Sequence, residues 1–162
     1  MERRTAIGQQ VWDLPALDVA ENMCVQQFMD SSLRLFATLN DGLISAHGLS
    51  LFAVLVLELL ARSASGSARM RDLAEAFALA PSRVTQLIDR LEAQGLVGRN
   101  QHPQGRRVVL ATITGEGRAR LQSAIVTYAR VVRLNYLDRL SRQQAIALGD
   151  ACRRTGLPTR PA

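Results

Sequence analysis

Apolar positions recur at helical spacing over most of this chain, and in one stretch both ends of the helix are marked as well. From Ala80 to Val97, Val84, Leu87, Ile88 and Leu91 follow the i, i+3, i+4, i+7 pattern of a single buried stripe. Pro81 suits the first helical position, where its missing N–H is no loss. Gly95 suits the stop, where a left-handed residue is needed. The opposite face carries Ser82, Gln86, Asp89 and Arg90, with Arg83 and Thr85 on its flanks. That face offers hydroxyl, amide and guanidinium groups, which hydrogen-bond to phosphates and base edges.

The neighbouring stretches give the helix a context. Just before it, Met70, Leu73, Ala74 and Phe77 make a second apolar stripe, separated from the first only by residues 78–80. Two short helices joined by a tight turn form a helix-turn-helix, whose second helix enters the DNA major groove. Just after it, Leu96-Val97-Gly98-Arg99 and Val108-Val109-Leu110-Ala111-Thr112-Ile113 flank a turn-rich polar tip that ends in Arg106 and Arg107. That pattern predicts a β-hairpin. Helix, turn, helix and hairpin together make a winged helix. Arg99, on the first strand of the hairpin, suits a surface ion pair as well as it suits a phosphate contact.

The rest of the chain reads as helices. Leu17, Cys24, Phe28, Leu35 and Leu39 share one face of a helix predicted over residues 17–39, and Asn40-Asp41-Gly42 would end or bend it. Ser50 is placed to cap a helix from Leu51 to about Arg62 that is apolar nearly all round, and so central and buried. Residues 63–67 read as a loop. Thr114 can cap a long helix reaching about Leu137, with Leu121, Ile125, Tyr128 and Val132 on one face. Ser141 to Gln144 is a capping box that opens a last helix to about Arg154, with Ile146, Leu148, Ala151 and Cys152 on its apolar side.

The expected fold is mainly α with a small β-hairpin wing: one domain, built as a winged helix-turn-helix with N- and C-terminal dimerisation helices. Residues 1–48 would be an arm and the first dimerisation helix, 49–115 the winged helix-turn-helix, 116–156 the C-terminal dimerisation helices and 157–162 a disordered tail. The terminal helices carry more apolar surface than one small domain can cover, which points to a dimer interface.

Composition sharpens this picture. The 162 residues carry a net charge of +6, and all twenty basic residues are arginine. The charge is uneven: −3 over residues 1–48, +4 over 49–120 and +5 over 121–162. A basic surface favours nucleic acid through counterion release. Two cysteines and two histidines at these spacings make neither a disulfide framework nor a metal site, and no cofactor is expected. The first ten residues lack the apolar segment of a signal peptide. The longest nearly apolar run, Val54 to Ala61, is interrupted by Glu58 and is too short to cross a membrane. These features predict a cytoplasmic protein that does not engage a membrane. There is no nucleophile–base pair, metal cluster or phosphate loop to suggest an enzyme.

Arg71-Asp72-Leu73-Ala74, then Val84 to Glu92, then Gly95-Leu96-Val97, then Arg106-Arg107 and Thr114-x-x-Gly117 resemble the MarR family of bacterial transcription regulators. The resemblance covers roughly residues 35 to 155 and is most specific from 70 to 117. It implies a homodimeric repressor on a pseudo-palindromic DNA operator, with half-site centres about 10 base pairs apart. Ser82, Arg83, Thr85, Gln86 and Arg90 would contact DNA from the recognition helix. Arg106 and Arg107 would enter the minor groove or grip phosphates. The chain departs from the family pattern twice: Gly105 stands where the wing usually carries Asp, and Ala80 stands where the recognition helix is often capped by Ser.

The resemblance also implies a small aromatic or anionic effector in a cleft to which Trp12, Arg34 and His47 could contribute. Some family members sense peroxide through a cysteine near Cys24, which makes a redox regulator one alternative. The acids around Cys24, at Asp18, Glu21 and Asp30, favour a buried structural cysteine instead. The other alternative is a winged helix used for protein dimerisation without DNA binding.

Overall fold

Asp18 and Glu21 open the first helix with reciprocal bonds. Asp18 Oδ1 accepts from Glu21 N at 2.9 Å, and Glu21 Oε2 accepts from Asp18 N at 2.9 Å. The computed structural model describes residues 14–102 and 105–155, and of residues 101, 102 and 105–108 it describes the backbone alone. Trp12, the arm before residue 14 and the tail after 155 lie outside the described residues. So do Pro103 and Gln104 at the wing tip.

The elements run α1 (Val19–His47), α2 (Leu51–Arg62), β1 (Ser67–Arg69), α3 (Met70–Ala76), α4 (Pro81–Ala93), β2 (Val97–His102), β3 (Gly105–Ile113), α5 (Gly115–Asn135), a short 3-10 turn (Leu137–Arg139) and α6 (Arg142–Thr155). The predicted α2, α3, α4, hairpin, α5 and α6 are all present. Ser50 caps α2 by accepting from Ala53 N at 3.2 Å. Ser141 and Gln144 form their reciprocal bonds at the start of α6.

Two expectations are corrected. α1 does not end or bend at residues 40–42 but runs on to His47, where Gly48 closes it at φ 66°. Asn40 turns its side chain to the next helix, and its Oδ1 accepts from Leu51 N at 3.1 Å. Gly42 sits where α5 comes close, so that a Cβ there would lie 3.2 Å from Val131 Cγ2. Both residues that read as helix breakers therefore serve tertiary contacts within an intact helix. The second correction is β1, whose first residue, Ser67, is predicted as loop. It lies antiparallel to β3 with Ser67 opposite Thr112 and Arg69 opposite Leu110, giving a three-stranded sheet in the order β1-β3-β2. A three-residue strand is too short to show a period of two.

α2 is the centre of the core. Leu57 and Leu60 are wholly buried, and around them pack Leu43 of α1, Leu73 of α3, Ile88 and Leu91 of α4 and Leu96 before the wing. Burying each of these large side chains stabilises the fold by roughly 1.5–3 kcal/mol. α1 and α2 meet at a bend of 79°, and among the described residues no single helix is long and apolar enough to cross a membrane.

The N-terminal half of α1 lies largely outside this core. Along the whole of α1 only Asn22, Leu39 and Leu43 are buried, while Leu33 is 62% and Phe36 53% exposed. The predicted stripe from Leu17 to Leu39 is thus covered only at its C-terminal end. α6 buries no residue at all.

Candidate nucleic-acid interface

The recognition helix α4 is set by the turn before it. Ala78 adopts φ 49°, a left-handed conformation unusual for a residue with a Cβ, and lets the chain reverse between α3 and α4. Pro81 occupies the first turn, and Ala80 supplies no side-chain cap. Of the predicted stripe, Val84, Ile88 and Leu91 are buried and Leu87 is half-buried. Gly95 takes φ 70° just past the end, and Leu96 N donates to Leu91 O at 2.9 Å to close the helix.

Successive residues are about 100° apart around a helix, which divides the exposed side of α4 into three strips. The middle strip carries Ser82 and Gln86, with Arg90 and Arg83 bordering it on the side away from the wing, all exposed. Among the described residues the Arg83 and Arg90 guanidinium groups pair with no acid, so both charges remain available. The Thr85 hydroxyl is partly committed, because it donates to Pro81 O at 3.0 Å.

One flank of the helix, Thr85, Asp89 and Glu92, faces the wing. Arg99 of β2 reaches across and places Nη1 at 2.9 Å from Glu92 Oε2 and Nη2 at 2.5 Å from Asp89 Oδ1. Of the two roles open to Arg99 in the sequence, the structure displays the ion pair. The other flank borders a cavity of about 220 Å³ between α4 and the α1–α2 junction. Ile44, Leu49, Ala53, Leu87, Arg90 and Gln94 line it. Nothing in the sequence pattern pointed to this cavity, because the contact between the end of α1 and the far side of α4 is tertiary. Arg90 thus stands between the DNA-facing strip and the cavity.

The wing hairpin pairs Val97 with Ile113 and runs to Gln101 opposite Val109, with an irregularity between Gln101 and His102. Arg106 and Arg107 lie on β3 beside this tip. Thr114 ties the base of the wing to both neighbouring helices. Its hydroxyl donates to Gly95 O at 2.7 Å and accepts from Gly117 N at 3.0 Å.

Of the residues expected to hold an effector, Trp12 lies outside the described residues, and Arg34 and His47 lie far apart within the chain. Arg34 is exposed on α1 and pairs with Asp30 at 3.5 Å. His47 lies thirteen residues further along α1, about 20 Å away at 1.5 Å per residue. His47 shares a 2.8 Å hydrogen bond between Nε2 and Thr127 Oγ1 of α5. Cys24 and Cys152 are both exposed in the chain, so the expectation that Cys24 is a buried structural cysteine is not met here: that part of α1 has no cover within the monomer. Among the described residues no His, Cys, Asp and Glu cluster could hold a metal ion.

This arrangement, a short helix pair set between the first strand and the hairpin of a three-stranded sheet, with the hairpin beside the second helix, is a winged helix-turn-helix. Residues 49–109 match the model of the MarR family. Among curated relatives, the HTH-type transcriptional repressor MdtR of Bacillus subtilis (strain 168) is 28% identical over 81 residues. That match spans 50% of this chain and about half, 52%, of MdtR's own length. Among solved structures, Sco3205, a MarR family transcriptional regulator from Streptomyces coelicolor in complex with DNA, superposes with a TM-score of 0.83 at 27% identity. The superposition covers 90% of this chain and 95% of Sco3205. CouR from Rhodococcus jostii RHA1, bound to p-coumaroyl-CoA, shares the fold with a TM-score of 0.70 at 23% identity, over 90% of this chain and 96% of its own.

Proposed function

We propose that the chain is a homodimeric, sequence-specific DNA-binding transcription regulator that acts as a repressor. The observation that carries this reading is the exposed face of α4, with Ser82 and Gln86 at its middle, Arg90 and Arg83 beside them, and both arginines unpaired with any acid among the described residues. Such a face supplies donors for base edges and charge for phosphates on one continuous surface. In this reading Arg106 and Arg107 of the wing bind the adjacent minor groove or its phosphates. Residues 49–115 form the reading head, and the terminal helices hold two heads at the spacing of successive major grooves. The exposed apolar residues of α1 and α6 support pairing through those helices. The name of MdtR supports repression, and the DNA complex of Sco3205 supports the docking surface.

The cavity between α4 and the α1–α2 junction supports a small-molecule effector as part of the same reading. A ligand there would touch α4 through Leu87 and Arg90 and α1 through Ile44, and would shift the head against the dimer scaffold. It releases DNA only in so far as it binds the released arrangement more tightly. CouR, with p-coumaroyl-CoA bound, shows that this fold can carry an acyl-CoA ligand.

A fluorescence anisotropy titration tests the reading on promoter DNA adjoining the protein's own gene, at two salt concentrations. The expected result is salt-sensitive binding, tighter than to random duplex and weakened in Arg106→Ala/Arg107→Ala. Equal binding to random duplex at both salts favours the alternative, a winged helix that serves protein contact.

A further inference from the structure

We propose that Arg99 is a positioning residue for DNA recognition, clamping the base of the wing to the recognition helix. The inference deepens the DNA-binding reading above and rests on it. Arg99 belongs to β2 and lies opposite Ala111 of β3, so its backbone is part of the wing. Its guanidinium reaches three turns of α4. Nη1 lies 2.9 Å from Glu92 Oε2, and Nη2 lies 2.5 Å from Asp89 Oδ1 and 3.4 Å from Thr85 O. Thr85, Asp89 and Glu92 are spaced i, i+4, i+7 and therefore share one face of the helix.

The planar, multi-donor fork of arginine can hold partners on successive turns at once, which a lysine ammonium cannot. Its side chain is 28% exposed, less than either acid, so this pair is shielded more than a free surface bridge. The clamp has two effects. It fixes the angle of the wing to α4 at the base of the hairpin, where the tip residue Gly105 brings no side chain to brace it. It also offsets half of the charge of the two acids of α4 that would otherwise repel phosphates beside the reading strip.

The clamp and a phosphate-gripping Arg99 predict opposite signs for removal of the acids. Were Arg99 a phosphate contact held back by Asp89 and Glu92, freeing it would tighten binding. As a clamp, losing the acids releases the wing and weakens binding even though two negative charges leave the interface.

The test is anisotropy with the full-length protein and the same promoter duplex at several salt concentrations. Arg99→Ala, and separately Asp89→Asn/Glu92→Gln, should each weaken binding about tenfold, with Arg99→Lys in between. The slope of log affinity against log salt should stay at the wild-type value, because no phosphate contact is lost. In a background of Arg106→Ala/Arg107→Ala, Arg99→Ala should cost far less, since its effect passes through the wing. A mere loss of fold would instead lower the active fraction and leave the costs additive. Tighter binding by the acid variant, a slope reduced by about one in Arg99→Ala, or strict additivity with the wing variant would each overturn the clamp while leaving the DNA-binding reading intact. Failure of the wild type to prefer the promoter over random duplex overturns that reading and the clamp with it.

Discussion

Gly117 of α5 lies directly against the carbonyl of Leu96: a Cβ at Gly117 would stand 2.2 Å from Leu96 O and 2.9 Å from Ile113 Cγ1. The first turn of α5 is therefore seated on the entry to the wing. The same turn is capped by Thr114, whose own N–H donates to Leu96 O at 3.1 Å.

This contact reverses the usual effect of putting alanine in a helix. Gly→Ala in an open helical position gains roughly 0.5–1 kcal/mol. Gly149 in α6, with nothing within 4 Å of a built Cβ, should behave that way. Gly117→Ala should instead lose about 1–3 kcal/mol or more, because the blocking atom is backbone and cannot turn aside. Denaturant melts of the two variants check the pair of opposite signs.

Ala78 supplies a second backbone test. Its φ of 49° costs about 1–2 kcal/mol for a residue with a Cβ, and glycine would remove that cost at a smaller entropic one. Ala78→Gly should raise stability by about 0.5 kcal/mol. The same change at Ala74, buried within α3, should lower it by about 1 kcal/mol or more. Thermal melts distinguish the two outcomes.

A third expectation concerns the bare face of α1. Leu33 and Phe36 are exposed in the single chain, at 62% and 53%, one turn apart on the helix. Pairing of two copies through this face should be lost in Leu33→Glu/Phe36→Glu, because two buried carboxylates per protomer would stand unpaired in the interface. Sedimentation should show a dimer for the wild type and a monomer for the variant. A variant that stays dimeric would place the interface elsewhere.

Much of this molecule could be read along the chain, and what could not has a physical reason. Pro81, the 84-87-88-91 stripe and Gly95 announced α4 because each acts on its own local backbone. Ser50, Thr114 and Ser141 announced helix starts for the same reason, and the structure shows each making its cap. Asn40 and Gly42 misled because their local preferences are overridden by partners far along the chain, Leu51 N and Val131. β1 was hidden because its identity as a strand rests on β3, more than forty residues later. In the candidate site the exposed strip of α4 was legible as a face, whereas the partners of Arg99 and the cavity beside Arg90 depend on how separate elements pack.

The central claim is that two copies of α4 and its wing read DNA together. Hydroxyl-radical footprinting of the wild type on the promoter adjoining its gene tests it most directly. The account predicts two protected patches related by a dyad, with centres about 10 base pairs apart, and loss of the outer protections in Arg106→Ala/Arg107→Ala. A single patch, or protection no different from that on random DNA, would contradict it.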